Sequence, residues 1–137
     1  MSNENQISSA VHDVELQRVF LGRLSVLLER GHFTYKNYLS NNKNFLHAKI
    51  LKDNNGRIRQ LILSHCHVLP NAQQLNAIQL VYHIDVWCCL WEDSFNTLTP
   101  EIFDTFSFEN KVNFPADAVN ALISYYKSLE NCAGTVA

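Results

Sequence analysis

Apolar positions along this chain recur at helical spacing in four stretches. From Ser9 to Arg30, Val14, Leu21, Leu24 and Leu28 fall at i, i+7, i+10 and i+14, with Phe20 and Leu27 widening the stripe. Gly31 stands where a helix-ending glycine belongs, so a first helix is expected to stop there. His32–Leu39, carrying Phe33, Tyr35 and Tyr38, reads as a short helical turn that leads into a loop marked by Asn41, Asn42 and Asn44. After Pro70, Asn71 is suited to cap a helix running from Ala72 to about Asp93. In that helix Ala77, Val81, Ile84, Cys88, Trp91 and Phe95 form one stripe, while Leu80, Trp87 and Leu90 cover neighbouring faces. Thr99-Pro100-Glu101 has the order of a helix start and predicts a short helix toward Phe106. Pro115 opens the last one, with Val119, Leu122, Ile123, Tyr126 and Leu129 in register.

Phe45 to Leu69 supports two readings. Asn55-Gly56 between apolar runs is a hairpin signal that would pair Ile50 with Leu61 and Ala48 with Leu63. Against it, Ile58, Leu61, Ile62, Cys66 and Leu69 sit at i, i+3, i+4, i+8 and i+11, which favours helix, with Asn54-Asn55-Gly56 then a link between two helices. The expected fold is all-α, a compact bundle of five to six helices. The alternative is an α+β fold with a hairpin over residues 45–64. The domain boundaries follow: residues 1–8 a flexible tail, 9–131 a single helical domain, 132–137 a second flexible tail.

Composition narrows the class. With 137 residues, 47% hydrophobic and 18% charged, the chain matches one globular domain and is too apolar for intrinsic disorder. The longest stretch without formal charge, Leu61 to Ile84, holds Ser64, His65, His67, Pro70 and several amides, so it is too polar for a membrane helix. The N-terminus shows no basic segment followed by an apolar one. Cys66, Cys88, Cys89 and Cys132 form no CxxC and read as reduced, small core residues. A cytoplasmic setting is expected.

Charge adds the feature that bears on function. Residues 1–69 carry nine Lys/Arg against five Asp/Glu, a balance of +4, and residues 70–137 carry two against eight, a balance of −6. Between Tyr82 and Glu109 lie six acids (Asp85, Glu92, Asp93, Glu101, Asp104, Glu109), no base and seven aromatics. The basic share concentrates in Lys43, Lys49, Lys52, Arg57 and Arg59, opposed only by Asp53. Such asymmetry marks either a surface built for a charged partner or two halves of one fold neutralising each other.

Motifs for chemistry are sparse. His65 and His67 flank Cys66, and two histidines at i and i+2 share a face on a strand but diverge on a helix. With His83 they are weak metal candidates, so no metal and no cofactor is implied. Cys66 between two histidines is the better thiol nucleophile, because acids near Cys88 and Cys89 raise a thiol pKa. Asp85 and Glu92 lie seven residues apart on one helical face, and Asp85 on so apolar a helix calls for a basic partner such as Arg18, Arg23 or Arg30. The four glycines fit no phosphate-binding loop, and HExxH, GxSxG and kinase signatures are lacking. A pI near 6.3 disfavours nucleic acid.

The expected function is therefore a non-enzymatic interaction protein, most concretely an inhibitor or immunity-type partner of a basic enzyme such as a nuclease toxin. Its expected surface comprises Asp85, Trp87, Trp91, Glu92, Asp93, Glu101, Asp104, Phe108 and Glu109. Phe103 and Phe106, at i and i+3, read as packing residues. Two other classes stay open: a small helical enzyme or metal protein using the His/Cys cluster, and a homo-oligomeric subunit joined through segments 43–59 and 85–109.

Overall fold

A computed structural model describes the backbone of residues 2–136 and the side chains of residues 9–131. The expected flexible tails, 1–8 and 132–137, lie outside the described side chains. The fold is all-α, with four helices in place of five or six: α1 (Ser2–Ser40), α2 (Phe45–His65), α3 (Asn71–Leu98) and α4 (Ala116–Val136). A single 3-10 turn, Cys66–Val68, links α2 to α3. α1 packs on α2 and α4, and α3 packs on the same two. Cross-helix pairs such as Asn54 with Leu27, Arg59 with Asp85 and Arg18 with Glu130 set neighbouring helices antiparallel.

Two expected breaks do not occur. No glycine among the described residues adopts positive φ, so Gly31 is not a helix end, and α1 runs nine residues further. The reason is packing. A Cβ at Gly31 would lie 2.9 Å from Asn54 Nδ2, so the missing side chain makes room for the Asn54 amide. Asn54 is fully buried, donates to the Leu27 carbonyl at 2.8 Å and accepts from Arg30 Nη1 at 3.2 Å. Asn54-Asn55-Gly56 is neither hairpin turn nor link, but the middle of α2. The 45–64 hairpin is thus replaced by helix, because Ile58 and Ile62 bury against the core only at helical spacing. The chain turns instead at Asn42 and Lys43, whose φ values of 57° and 51° are left-handed, and Asn44 caps α2 by accepting from His47 N. The Asn cluster is the loop its composition predicts.

The short helix after Pro100 does not form either. Thr99, at φ 41°, ends α3, and residues 101–115 run as a strap over the corner between α1 and α2. The first N–H groups of α2 explain this choice. Phe45 N donates to Asp104 O and Leu46 N to Ile102 O, both at 2.8 Å, so the strap's carbonyls satisfy donors that a helix start leaves free. Phe106 N returns a bond to Lys43 O at 2.8 Å, and Asn44 and Thr105 form an isolated antiparallel bridge. Asn71 begins α3, with Pro70 in the cap position and no side-chain cap. α3 continues past Asp93 to Leu98.

The core has two parts. Phe20, Leu21, Leu24, Ile58, Ile62, Leu80, Ile84 and Leu122 fill the space between the four helices. Burying each such aliphatic side chain contributes roughly 1.5–3 kcal/mol. A second, aromatic cluster joins Phe45, Ala48, Trp91 and Phe106, with Tyr38, Trp87, Phe95 and Phe108 around it. The stripes expected on the first, third and last helices face this core. α3 is not apolar-buried all round, however, since Leu75, Ile78 and Tyr82 lie exposed. Among the described residues no helix is long and apolar enough to cross a membrane.

Candidate functional site

Between α1, α2, α3 and the strap lies a cleft of about 520 Å³. Tyr35 and Tyr38 of α1, Trp87 of α3 and Phe108 and Phe114 of the strap line it. The strap is held over it by Tyr38, whose hydroxyl donates to the Phe106 carbonyl, and by Thr105 Oγ1, which donates to Asn42 O at 3.2 Å. Trp87 and Phe108 stack at a tilt with centroids 5.7 Å apart.

His83 also lines the cleft, 8% exposed, its ring edge-on to Phe114 at 5.4 Å. Its Nδ1 is buried without a hydrogen-bond partner, a loss worth about 1–3 kcal/mol. Burial lowers the His83 pKa below its ordinary value, and the nearby backbone of Val112 and Asn113 opposes that only in part.

Three of the six acids between Tyr82 and Glu109 are answered inside the chain. Asp85 accepts from Arg59 at 2.6 Å, not from Arg18, Arg23 or Arg30 as expected. Glu92 pairs with Lys52, whose ammonium also sits 4.3 Å from the Trp91 ring centroid. Glu109 pairs with Lys111 at 3.3 Å. Bases on α2 thus face acids of α3, and with Arg18–Glu130 three ion pairs neutralise part of the +4/−6 division within the fold. Among the described residues Asp93, Glu101 and Asp104 carry no ion pair.

The aromatics separate likewise. Trp91 is 5% exposed and its Nε1 donates to the Ala48 carbonyl at 3.1 Å, so it is core and cannot anchor a partner. Trp87 and Phe108 are half-buried in the cleft wall rather than on an open face. Phe106 is fully buried, as its packing role requires, but Phe103 is 77% exposed.

The reason lies in the turn Glu101–Asp104, closed by Asp104 N to Glu101 O at 3.1 Å and by Glu101 N to Asp104 Oδ2 at 2.8 Å. Its two central residues are Ile102 and Phe103, at positions where glycine, proline and small polar residues prevail. Leu98 is exposed beside them in sequence, at the end of α3. Sequence reasoning missed Ile102 and Phe103 because it placed them on a helix, and Leu98 because it ended the preceding helix near Asp93. The alternation Phe106-Ser107-Phe108, which suits an extended segment, was the available signal.

The remaining candidates do not converge. His65 ends α2 and His67 lies in the 3-10 turn, both exposed, while His83 is buried a helix away. Among the described residues no three His, Cys, Asp or Glu side chains are grouped to hold a metal ion. Cys66, Cys88 and Cys89 are free thiols, and Cys89 is exposed rather than core. Cys88 is pushed up mainly by burial, with Lys52 opposing and Asp85 adding, which favours the neutral thiol. Comparison with protein-family models, curated proteins and solved structures finds no match to the chain.

Proposed function

We propose that this chain is a non-enzymatic interaction protein of the inhibitor or immunity kind. In this reading it acts in the cytoplasm and neutralises a basic enzyme, such as a nuclease toxin, through an acidic-aromatic surface. The observation that carries the reading is the Glu101–Asp104 turn, which holds Phe103 out in solvent between two carboxylates that have no basic partner among the described residues. An exposed aromatic at a rigid turn supplies contact area at low entropic cost, and flanking acids steer and select a basic surface. Asp93 adds a third free acid, while Asp85, Glu92 and Glu109 are occupied within the chain.

The test is capture of a basic protein from the source cell by the full chain, followed by assay of that protein's own activity. Wild type is expected to hold the partner at low salt, to inhibit it stoichiometrically and to release it at high salt. Phe103→Ala and Glu101→Gln/Asp104→Asn are expected to weaken capture at least tenfold, and Asp85→Asn is expected to leave it intact. Equal capture by all four forms would sink the reading.

A second reading, a homo-oligomeric subunit, has its own observation in Val19, Val26 and Phe33, exposed at seven-residue intervals on α1. A mass of twice 15.7 kDa in light scattering, lost on Val26→Glu, would favour it.

A further inference from the structure

We propose that the cleft beneath the strap is a binding site for a small planar aromatic molecule with a negatively charged end, such as an aromatic carboxylate. The volume, about 520 Å³, suits a ligand of drug-like size, for which sites run from roughly 300 to 1,000 Å³. The walls carry aromatic rings from α1, α3 and the strap, with Tyr35 and Tyr38 paired 6.1 Å apart and Trp87 and Phe108 paired 5.7 Å apart. Flat apolar surfaces of this kind favour a flat apolar body.

The charge of the lining sets the sign of the ligand. Lys43 is the one fully charged residue among the lining side chains, and no carboxylate is among them. A cation bound there would lose water and gain no counter-charge, whereas an anion would gain Lys43. Lys43 has no ion pair among the described residues, unlike Lys52, Arg57 and Arg59 further along α2. His83 supplies a second, independent pointer. It is more than nine-tenths buried, it lines the cleft, and its Nδ1 has no hydrogen-bond partner among the described residues. Buried ring nitrogens are ordinarily hydrogen-bonded, so an orphan at the wall of a cleft marks a group waiting for an external partner. The site is separate from the Phe103 turn, which lies on the outer side of the same strap and makes no part of the lining.

Both tryptophans of the chain, Trp87 and Trp91, line the cleft, so intrinsic fluorescence reports directly on its occupancy. The experiment titrates the full chain with 2-naphthoate and, in parallel, with 2-naphthylmethylammonium of matched shape and opposite charge. The expected result is saturable one-to-one quenching by naphthoate and at least tenfold weaker binding of the cation. Lys43→Gln, at an exposed turn position, is expected to weaken naphthoate about tenfold and to leave the cation unchanged. Asn110→Phe, which introduces a ring into the cleft from an exposed strap position, is expected to abolish both. Three results would overturn the proposal: no saturable quenching up to millimolar naphthoate, equal affinity for anion and cation, or undiminished binding by a folded Asn110→Phe protein.

Discussion

Replacing Gly31 by alanine tests the α1–α2 lock, because two effects of opposite sign meet at one atom. In an unconstrained helix interior, alanine is favoured over glycine by about 1 kcal/mol. Here the new Cβ would stand 2.9 Å from Asn54 Nδ2, closer than such contacts occur, and the amide cannot simply swing aside. It is fully buried and spans the Leu27 carbonyl and the Arg30 guanidinium. Displacing it leaves buried polar atoms unsatisfied, at about 1–3 kcal/mol. The net expectation for Gly31→Ala is a loss of roughly 0–2 kcal/mol, derived from those two ranges.

In an Asn54→Ala background the obstacle is gone, and Gly31→Ala should instead stabilise by about 1 kcal/mol. The sign reversal is the test, and the implied coupling of about 1–3 kcal/mol lies within the roughly 0.5–3 kcal/mol seen for touching residues. Urea unfolding of the four proteins, followed by tryptophan fluorescence, reads it. With m near 1–3 kcal/mol per molar, 1 kcal/mol moves the midpoint by about 0.3–1 M. Stabilisation in both backgrounds would refute the lock. Loss in both would mean that Gly31 is needed for its backbone conformation, as a helix-ending glycine is.

Two further outcomes follow from particular backbone and side-chain states. Thr99 holds φ 41°, a left-handed conformation that costs a β-branched residue roughly 1–2 kcal/mol. Thr99→Gly relieves this against an unfolded-state entropy of about 0.4–1 kcal/mol, so a net gain near 0.5–1 kcal/mol is expected in urea midpoints. An unchanged or lowered midpoint would show that the strain is absorbed elsewhere. His83 has its pKa lowered from 6.5 by burial, so the folded state favours the neutral ring. Its contribution is then full above about pH 6.5 and is lost as pH falls through the lower folded value. The other titratable groups lining the cleft, His32, Tyr35, Tyr38 and Lys43, make no hydrogen bond to its Nδ1. The urea midpoint of wild type is expected to drop below pH 6.5 more steeply than that of His83→Leu. Parallel pH profiles would exclude His83 as the source.

Much of the fold is legible along the chain where one periodicity dominates. Leu21, Leu24, Ile62, Ala77, Val81, Ile84 and Leu122 all bury on the faces their spacing predicts. Element ends were less legible, for a physical reason visible at Gly31, Gly56 and Pro100. Each residue type supports two local structures, and the choice is made by a distant partner. Gly31 continues a helix because Asn54 occupies the space beside it. The segment after Pro100 stays extended because the N–H groups of Phe45 and Leu46 take its carbonyls. Neither partner can be identified from a window of neighbouring residues. A hairpin signal such as Asn55-Gly56 fails for the same cause, since Ile58 and Ile62 bury only if the helix runs through it.

The charge pattern shows where sequence reading stops and geometry has to decide. Six acids between Tyr82 and Glu109 look equivalent as composition, but three of them are matched by Arg59, Lys52 and Lys111 once the chain is folded. Exposed pairs of this kind contribute about 0–1 kcal/mol each and mainly cancel local field, so they neither hold the fold together nor project charge. The acids that retain an outward field are the ones the helices leave without a base, Asp93, Glu101 and Asp104. They fall in the last turns of α3 and in the turn that exposes Phe103, the latter fixed by the strap's bonds to α2. The same bonds roof the cleft that lies on the strap's inner side. One irregular segment of the chain therefore carries both candidate binding features, its exposed ring outside and its buried rings within. Had the segment formed the helix its Thr-Pro-Glu start predicts, α2 would lose the carbonyls that cap it, and neither feature would exist.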